Sequence, residues 1–258
     1  MCYDANARPP LPPIRGAAID AGEVILSSAD GTAVAAYAAR AGEPSGAGIV
    51  VLPDVRGLHP FFEELALRFA EAGVDAIAID YFSRTAGTGR RSPDFDHPTH
   101  VPLTRPDTLN ADVAAAADYL RSPKGGSVER LYTVGFCFGG RLSFLQAASG
   151  IEPAGVIGFY GWPVGSNRTG LPAPADEAPR FTCPVLAMWG GADEGIGSEV
   201  VRTFDEAMDG AGVEHTTVVY PDAPHSFFDR HAGEHAEASA DAWRQMLEFM
   251  GIAEAAKG

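Results

Sequence analysis

Apolar positions in this chain fall into two rhythms. Short runs such as Gly48-Ile49-Val50-Val51-Leu52 are apolar at every position, as in a strand buried on both faces of a parallel sheet. Runs of this kind predict strands at 23–28, 34–40, 48–53, 74–80, 131–136, 155–160, 185–189 and 216–220. The first two alternate more and predict an antiparallel edge hairpin around Asp30-Gly31. Between the strands the spacing changes to three and four. Phe62, Leu65, Ala66 and Phe69 share one helical face that stops at Gly73. Leu109, Val113, Ala116 and Leu120 form a second stripe, and Leu142, Leu145 and Ala148 a third that ends at Gly150. A fourth carries Val201, Phe204 and Met208 behind a cap at Ser198, and Trp243, Met246, Leu247 and Met250 mark the last.

Repeated strand–helix alternation predicts one α/β domain over residues 22–258. Its core is a doubly wound, mostly parallel sheet of about eight strands with helices on both faces. Residues 1–21 are expected to form an extended N-terminal arm, because the prolines within 8–14 fix the backbone there. Two segments, 83–106 and 161–183, are rich in Pro, Gly and polar residues and are expected to be long loops or lids. The first leaves the C-terminal end of a predicted strand, where open α/β sheets bind ligands.

Composition narrows the range of functions. The 258 residues carry 19 basic and 34 acidic side chains, a formal net charge of −15. Such a surface repels phosphate backbones and anionic lipid, so neither nucleic acid nor a membrane is an expected partner. No apolar run approaches the roughly 18 residues needed to span a bilayer. Met1 to Pro10 shows neither a basic nor an apolar export region. Cys2, Cys137 and Cys183 are too few and odd in number for a disulfide framework, and the expected location is a reducing cytoplasm. Asn167-Arg168-Thr169 then reads as a loop tripeptide rather than a glycan acceptor.

Chemistry concentrates at Gly135-Phe136-Cys137-Phe138-Gly139-Gly140, which follows an apolar strand and opens a helix. This is the setting of a nucleophile elbow, G-x-S-x-G, with cysteine in place of serine. The glycines are required because side chains there would collide with the crossing strand and helix. The turn also puts Cys137 at a helix N-terminus, where N–H dipoles favour a thiolate. The bland alternative, a small buried hydrophobe, is the reading kept for Cys183 and Cys2. A cysteine nucleophile needs a base, and the base needs an orienting acid, each on a loop after a later strand. Asp193 follows the strand at 185–189 and His225 the strand at 216–220, in that order. Glu194 and Asp222 are rival acids beside these positions.

Gly-Phe-Cys-Phe-Gly-Gly, Gly-Gly-Ala-Asp and Pro-His-Ser-Phe-Phe-Asp together resemble the motifs of the dienelactone hydrolase family, within the α/β-hydrolase superfamily. The similarity extends to 52–57 and 80–84 and covers roughly 23–251. The resemblance implies an α/β-hydrolase fold and a small-molecule ester or lactone as substrate. It also implies a Cys137–His225–Asp193 triad with a thioacyl intermediate, and no metal or organic cofactor. The N–H groups of Phe138 and Val55 would form the oxyanion hole. Relatives commonly carry glutamate where this chain has Asp54, a residue that contacts the resting thiol and helps activate it. Asp54 is one methylene shorter. Arginines hold the substrate carboxylate in the family's prototype, one of them shortly after the histidine. Here Arg230 lies one position later, and the other could be Arg90, Arg91 or Arg105. Arg56 and Arg84 could hold an anionic substrate or pair with Asp54 and the lid.

Three other readings compete. The same site could serve a thioesterase or another acyl hydrolase. The fold could be kept in a non-catalytic binding module. Finally, His231-Ala232-Gly233-Glu234-His235 fits the H-x-x-E-H zinc pattern, but that site needs His, Glu and His on one helix, and Gly233 weakens such a helix.

Overall fold

The computed structural model describes residues 8–9, 18–166 and 169–252. The proline-rich stretch other than Arg8 and Pro9, Cys2, and Asn167-Arg168 lie outside the described residues. In chain order the elements are β1 (Ala18–Ser27), β2 (Ala33–Ala41), β3 (Ala47–Leu52), α1 (Pro60–Glu71), β4 (Asp75–Ile79), α2 (Ser83–Ala86), α3 (His97–His100) and α4 (Pro106–Arg121). They continue with β5 (Arg130–Phe136), α5 (Phe138–Gln146), β6 (Gly155–Phe159), α6 (Pro174–Glu177), β7 (Val185–Gly190), α7 (Ser198–Ala211), β8 (His215–Tyr220) and α8 (Ala236–Phe249).

All eight strands form one sheet in the order β1-β2-β4-β3-β5-β6-β7-β8. β4, β3, β5, β6, β7 and β8 run parallel, while β2 is antiparallel to both β4 and β1. The central strands β3, β4, β5, β6 and β7 are buried at nearly every position, which is why they read as unbroken apolar runs. One face packs against α1 and α8 around Phe62, Phe69 and Trp243. The other packs against α4, α5 and α7, around Leu109, Val113, Leu120 and Leu142, with Phe144 of α5 against Phe204 of α7. The chain passes from β3 out to β4 and then returns to β5 on the opposite side of β3. The ends of β3 and β5 therefore flank a reversal of strand order, the place where open α/β sheets bind ligands.

Three expectations need adjusting. β1 begins at Ala18, so residues 18–21 of the expected arm are strand, paired with Ala39–Ala41 of β2. α7 is capped by Gly197 rather than Ser198, which is its first helical residue. The segment 83–106 holds α2, α3 and a 3-10 turn. It is tied to the body by Arg84, bonded to Asp112 and Asp30, and by Arg91, bonded to Asp80. His231 to His235 form turns ahead of α8, not one helical face. No helix among the described residues is long and apolar enough to cross a membrane.

Candidate active site

Cys137 occupies the turn between β5 and α5 with φ +55° and ψ −111°, a strained backbone for a residue with a Cβ. The surroundings hold it there. Its N–H donates to Phe159 O at 3.0 Å, and its carbonyl accepts from Arg141 N at 3.2 Å. The flanking glycines are sterically required. A Cβ on Gly135 would lie 1.9 Å from Gly139 O, and one on Gly139 would lie 2.1 Å from Leu52 O. The elbow is thus pressed against the end of β3, whose following loop carries Asp54 and Val55.

The loop after β7 presents Asp193 and the loop after β8 presents His225. Asp193 Oδ2 accepts from His225 Nδ1 at 2.7 Å. The other carboxylate oxygen, Oδ1, accepts the N–H groups of Gly195 at 2.8 Å and Ile196 at 3.1 Å. Burial alone would raise the Asp193 pKa, but the bond and charge of His225 and these two N–H groups hold it below the usual carboxylate value. Burial would likewise depress His225. Its hydrogen bonds to Asp193 and Cys137, and the negative charge of both, outweigh burial and push the imidazole up to about 10. With Nδ1 committed to Asp193, Nε2 faces the sulfur. The rival acids Glu194 and Asp222 are exposed.

These three side chains open onto a cavity of about 310 Å³, with Phe138, Tyr160, Trp162 and Ile196 as its apolar wall. That volume lies at the lower limit for small-molecule sites. Tyr160 is fully buried, has φ +38°, and sets its ring 4.8 Å from the His225 ring. The segment 161–183 contributes Trp162 to this wall, whereas 83–106 contributes nothing to it.

The other residues singled out from the sequence form a separate buried group. Asp54 Oδ1 accepts from Arg56 N at 2.9 Å and Arg56 Nε at 3.0 Å, and the second oxygen pairs with the same guanidinium. Asp229 lies 3.8 Å from Arg56, and His59 Nε2 lies 3.9 Å from Asp54. Arg230 donates to Ser226 Oγ at 3.0 Å. Desolvation would raise the Asp54 pKa, but Arg56 holds it down. Asp229 is pushed up to about 6 by burial and then by the charge of Asp54. Burial keeps His59 neutral, with its pKa down at about 4. None of Asp54, Arg56 and Arg230 is in the cavity wall. Arg84 is turned away from the cavity, because Asp112, Asp30, Ser28 and Thr32 take up its guanidinium. Arg105 caps its own loop by donating to the carbonyls of Pro102 and Thr104. Arg90 pairs with Glu23. Tyr160, Trp162, His59, Asp229 and Arg141 escaped the sequence reading. Arg141, directly after the Gly-Gly of the elbow, was the most visible of them, since a charged residue in an otherwise apolar helix asks for a buried partner.

Comparison with known proteins gives a consistent picture. A Salmonella typhimurium protein named "Putative carboxymethylenebutenolidase" is 33% identical over 240 residues, covering 90% of this chain and 87% of that one. A Rhodococcus opacus "Carboxymethylenebutenolidase" is 29% identical, over 96% of each chain. The crystal structure of a "Putative Dienelactone Hydrolase" from Klebsiella pneumoniae superposes with a TM-score of 0.81 at 30% identity, covering 91% of this chain and 99% of that one. The model of the dienelactone hydrolase family matches residues 34–253, from β2 to just past α8. A match of that extent, on a sheet of this strand order, makes the protein a member of the dienelactone hydrolase family, with the α/β-hydrolase fold.

Proposed function

We propose that the protein hydrolyses small carboxylic esters or lactones through a covalent thioester on Cys137. The observation that carries this reading is His225, bonded through Nδ1 to Asp193 at 2.7 Å and lining the same apolar cavity as Cys137, whose charge it feels. In the proposed sequence His225 Nε2 takes the thiol proton as sulfur attacks the acyl carbon, and Asp193 stabilises the imidazolium. The oxyanion that forms is held by the N–H groups of Phe138 and Val55. Neither group is used in a backbone turn or cap bond among the described residues. Collapse of the tetrahedral species breaks the C–O bond, and the departing alkoxide takes the proton from His225. Water, deprotonated by the same imidazole, then cleaves the thioester and releases the acid. The names of the Salmonella and Rhodococcus relatives agree with this substrate class.

The test uses p-nitrophenyl acetate. Acid quench during turnover should give an acetyl adduct on the peptide that contains Cys137. Cys137→Ala should lose p-nitrophenol release while keeping the far-UV circular dichroism of the parent. Unchanged turnover in that variant, or acetylation only at other side chains, refutes the proposal.

A further inference from the structure

Four residues past the sulfur, Arg141 sits in the first turn of α5 at 2% exposure. It bonds no side chain among the described residues. Its two terminal nitrogens instead donate to five backbone carbonyls of the loop that carries Trp162 of the cavity wall. Nη1 reaches Trp162 O at 3.0 Å and Val164 O at 3.4 Å. Nη2 reaches Gly165 O at 2.7 Å, Leu171 O at 3.0 Å and Pro172 O at 2.7 Å. One guanidinium therefore joins the outgoing and returning limbs of the loop. No carboxylate lies within ion-pair distance of it among the described residues, and Nε is buried without a partner. A buried cation whose hydrogen-bond partners are all carbonyls, with only the more distant charge of Asp176 to favour it, is costly to place. The arrangement fits a task that an apolar contact could not perform, the registration of several inward-pointing carbonyls by a rigid planar fork.

The loop also begins in contact with the same helix. A Cβ on Gly161 would lie 2.3 Å from Arg141 N and 2.4 Å from Gly140 C. Trp162 is the next residue, 42% exposed at the cavity rim. Its carbonyl is thus fixed by the side chain of a residue whose backbone N–H closes the turn on Cys137 O. The indole wall is measured off the nucleophile's own helix rather than from a distant anchor.

We infer that Arg141 is a positioning residue that sets which acyl groups the cavity accepts, by clasping 162–165 and 171–172 against the helix that follows Cys137. The inference rests on the hydrolase reading above, since acyl selectivity has meaning only if the cavity takes an acyl group. Neither Asp193 nor His225 stands on this loop, so loosening the clasp should alter binding before it alters chemistry.

The experiment compares the parent with Arg141→Lys, which keeps the charge but offers three donors, and Arg141→Met, which offers none. Amide hydrogen exchange is followed by mass spectrometry, together with turnover of p-nitrophenyl acetate and p-nitrophenyl hexanoate. In both variants exchange should accelerate in peptides covering 161–173 and stay unchanged in β5 and β7. KM for the acetate should rise about tenfold with kcat within about threefold, and the hexanoate-to-acetate ratio of kcat/KM should rise about tenfold as the wall yields. Arg141→Lys should be intermediate. Unchanged exchange in 161–173 overturns the clasp. A fall in kcat alone, equal for both esters, also overturns it by placing Arg141 in the chemistry. If Arg141→Met does not fold, Arg141→Lys carries the same readouts. A parent enzyme that turns over neither ester refutes the hydrolase reading, while the exchange data still decide whether the clasp exists.

Discussion

Replacing Asp193 by asparagine, an isosteric change, should cost more than its size suggests. The two oxygens of Asp193 face different partners. Oδ1 accepts from the N–H groups of Gly195 and Ile196, and Oδ2 accepts from His225 Nδ1. An asparagine has one acceptor and one donor end, so it must choose. With its carbonyl on the two backbone N–H groups, its NH2 faces Nδ1, forces the proton onto Nε2, and leaves the imidazole unable to take the thiol proton. Flipping the amide restores the productive tautomer but loses two hydrogen bonds at about 1 kcal/mol each and opposes two buried donors with a third, at about 1–3 kcal/mol more. The total of roughly 3–5 kcal/mol leaves the productive form populated at about 10⁻² to 10⁻⁴, since about 1.4 kcal/mol is a factor of ten. The expected loss in kcat/KM for p-nitrophenyl acetate is therefore about 10²–10⁴-fold, approaching the roughly 10⁴ of the same change in a serine triad. Asp193→Ala removes the orienting bond without imposing the wrong tautomer, and should be the less damaged of the two. Both are measured as initial rates at one pH with folding checked by circular dichroism. The reasoning fails if Asp193→Asn stays within about threefold of the parent, or if Glu194→Gln, on the exposed neighbour, proves the damaging substitution.

Two further outcomes follow from the geometry. Gly139→Ala puts a Cβ 2.1 Å from Leu52 O and 2.3 Å from Pro53 O. It should destabilise the fold by about 1–3 kcal/mol in thermal melts and cost more than about tenfold in kcat, because the loop that yields carries Val55. His59 is held neutral by burial, with its pKa down at about 4 from 6.5. A base depressed in the folded state contributes stability that is complete above pH 6.5 and is lost as pH falls toward 4, here up to about 3 kcal/mol. Urea melts of the parent and His59→Gln should accordingly converge as pH falls through that window. A difference that grows instead would mean the imidazole is charged when folded.

The strands were legible because a sheet covered on both faces leaves no polar position in its central members, so β3 and β7 announce themselves as unbroken apolar runs. β1 was read five residues short because Ile19 and Ile25 are exposed and Asp20 is polar; its pairing with β2 is set by backbone bonds that leave no apolar signature. Cys137, Asp193 and His225 were legible because an elbow and two loop positions are fixed by chain order. The arginines were not. Arg84 sits beside a conspicuous motif, yet the carboxylates that hold it, Asp30 and Asp112, lie 54 and 28 positions away. Arg141 is held by backbone carbonyls, which every residue possesses, so its charge in a buried helix asks for a partner without saying which.

What sets the distance between sulfur and imidazole is β6, which separates β5 from β7 in the sheet. Its C-terminal end acts on both partners. Phe159 O accepts the Cys137 N–H at 3.0 Å, and the Tyr160 ring packs 4.8 Å from that of His225. Tyr160 is itself fixed by its N–H bond to Met188 O at 2.8 Å, on β7, the strand whose following loop carries Asp193. A strained φ of +38° in a fully buried tyrosine persists only where its surroundings over-determine it, and here they do so from both sides. The strand order thus acts as a spacer. Asp193 and His225 come from the loops after the strands beyond β6, the sulfur from the strand before it, and the residue at the end of β6 packs its ring against the imidazole between them.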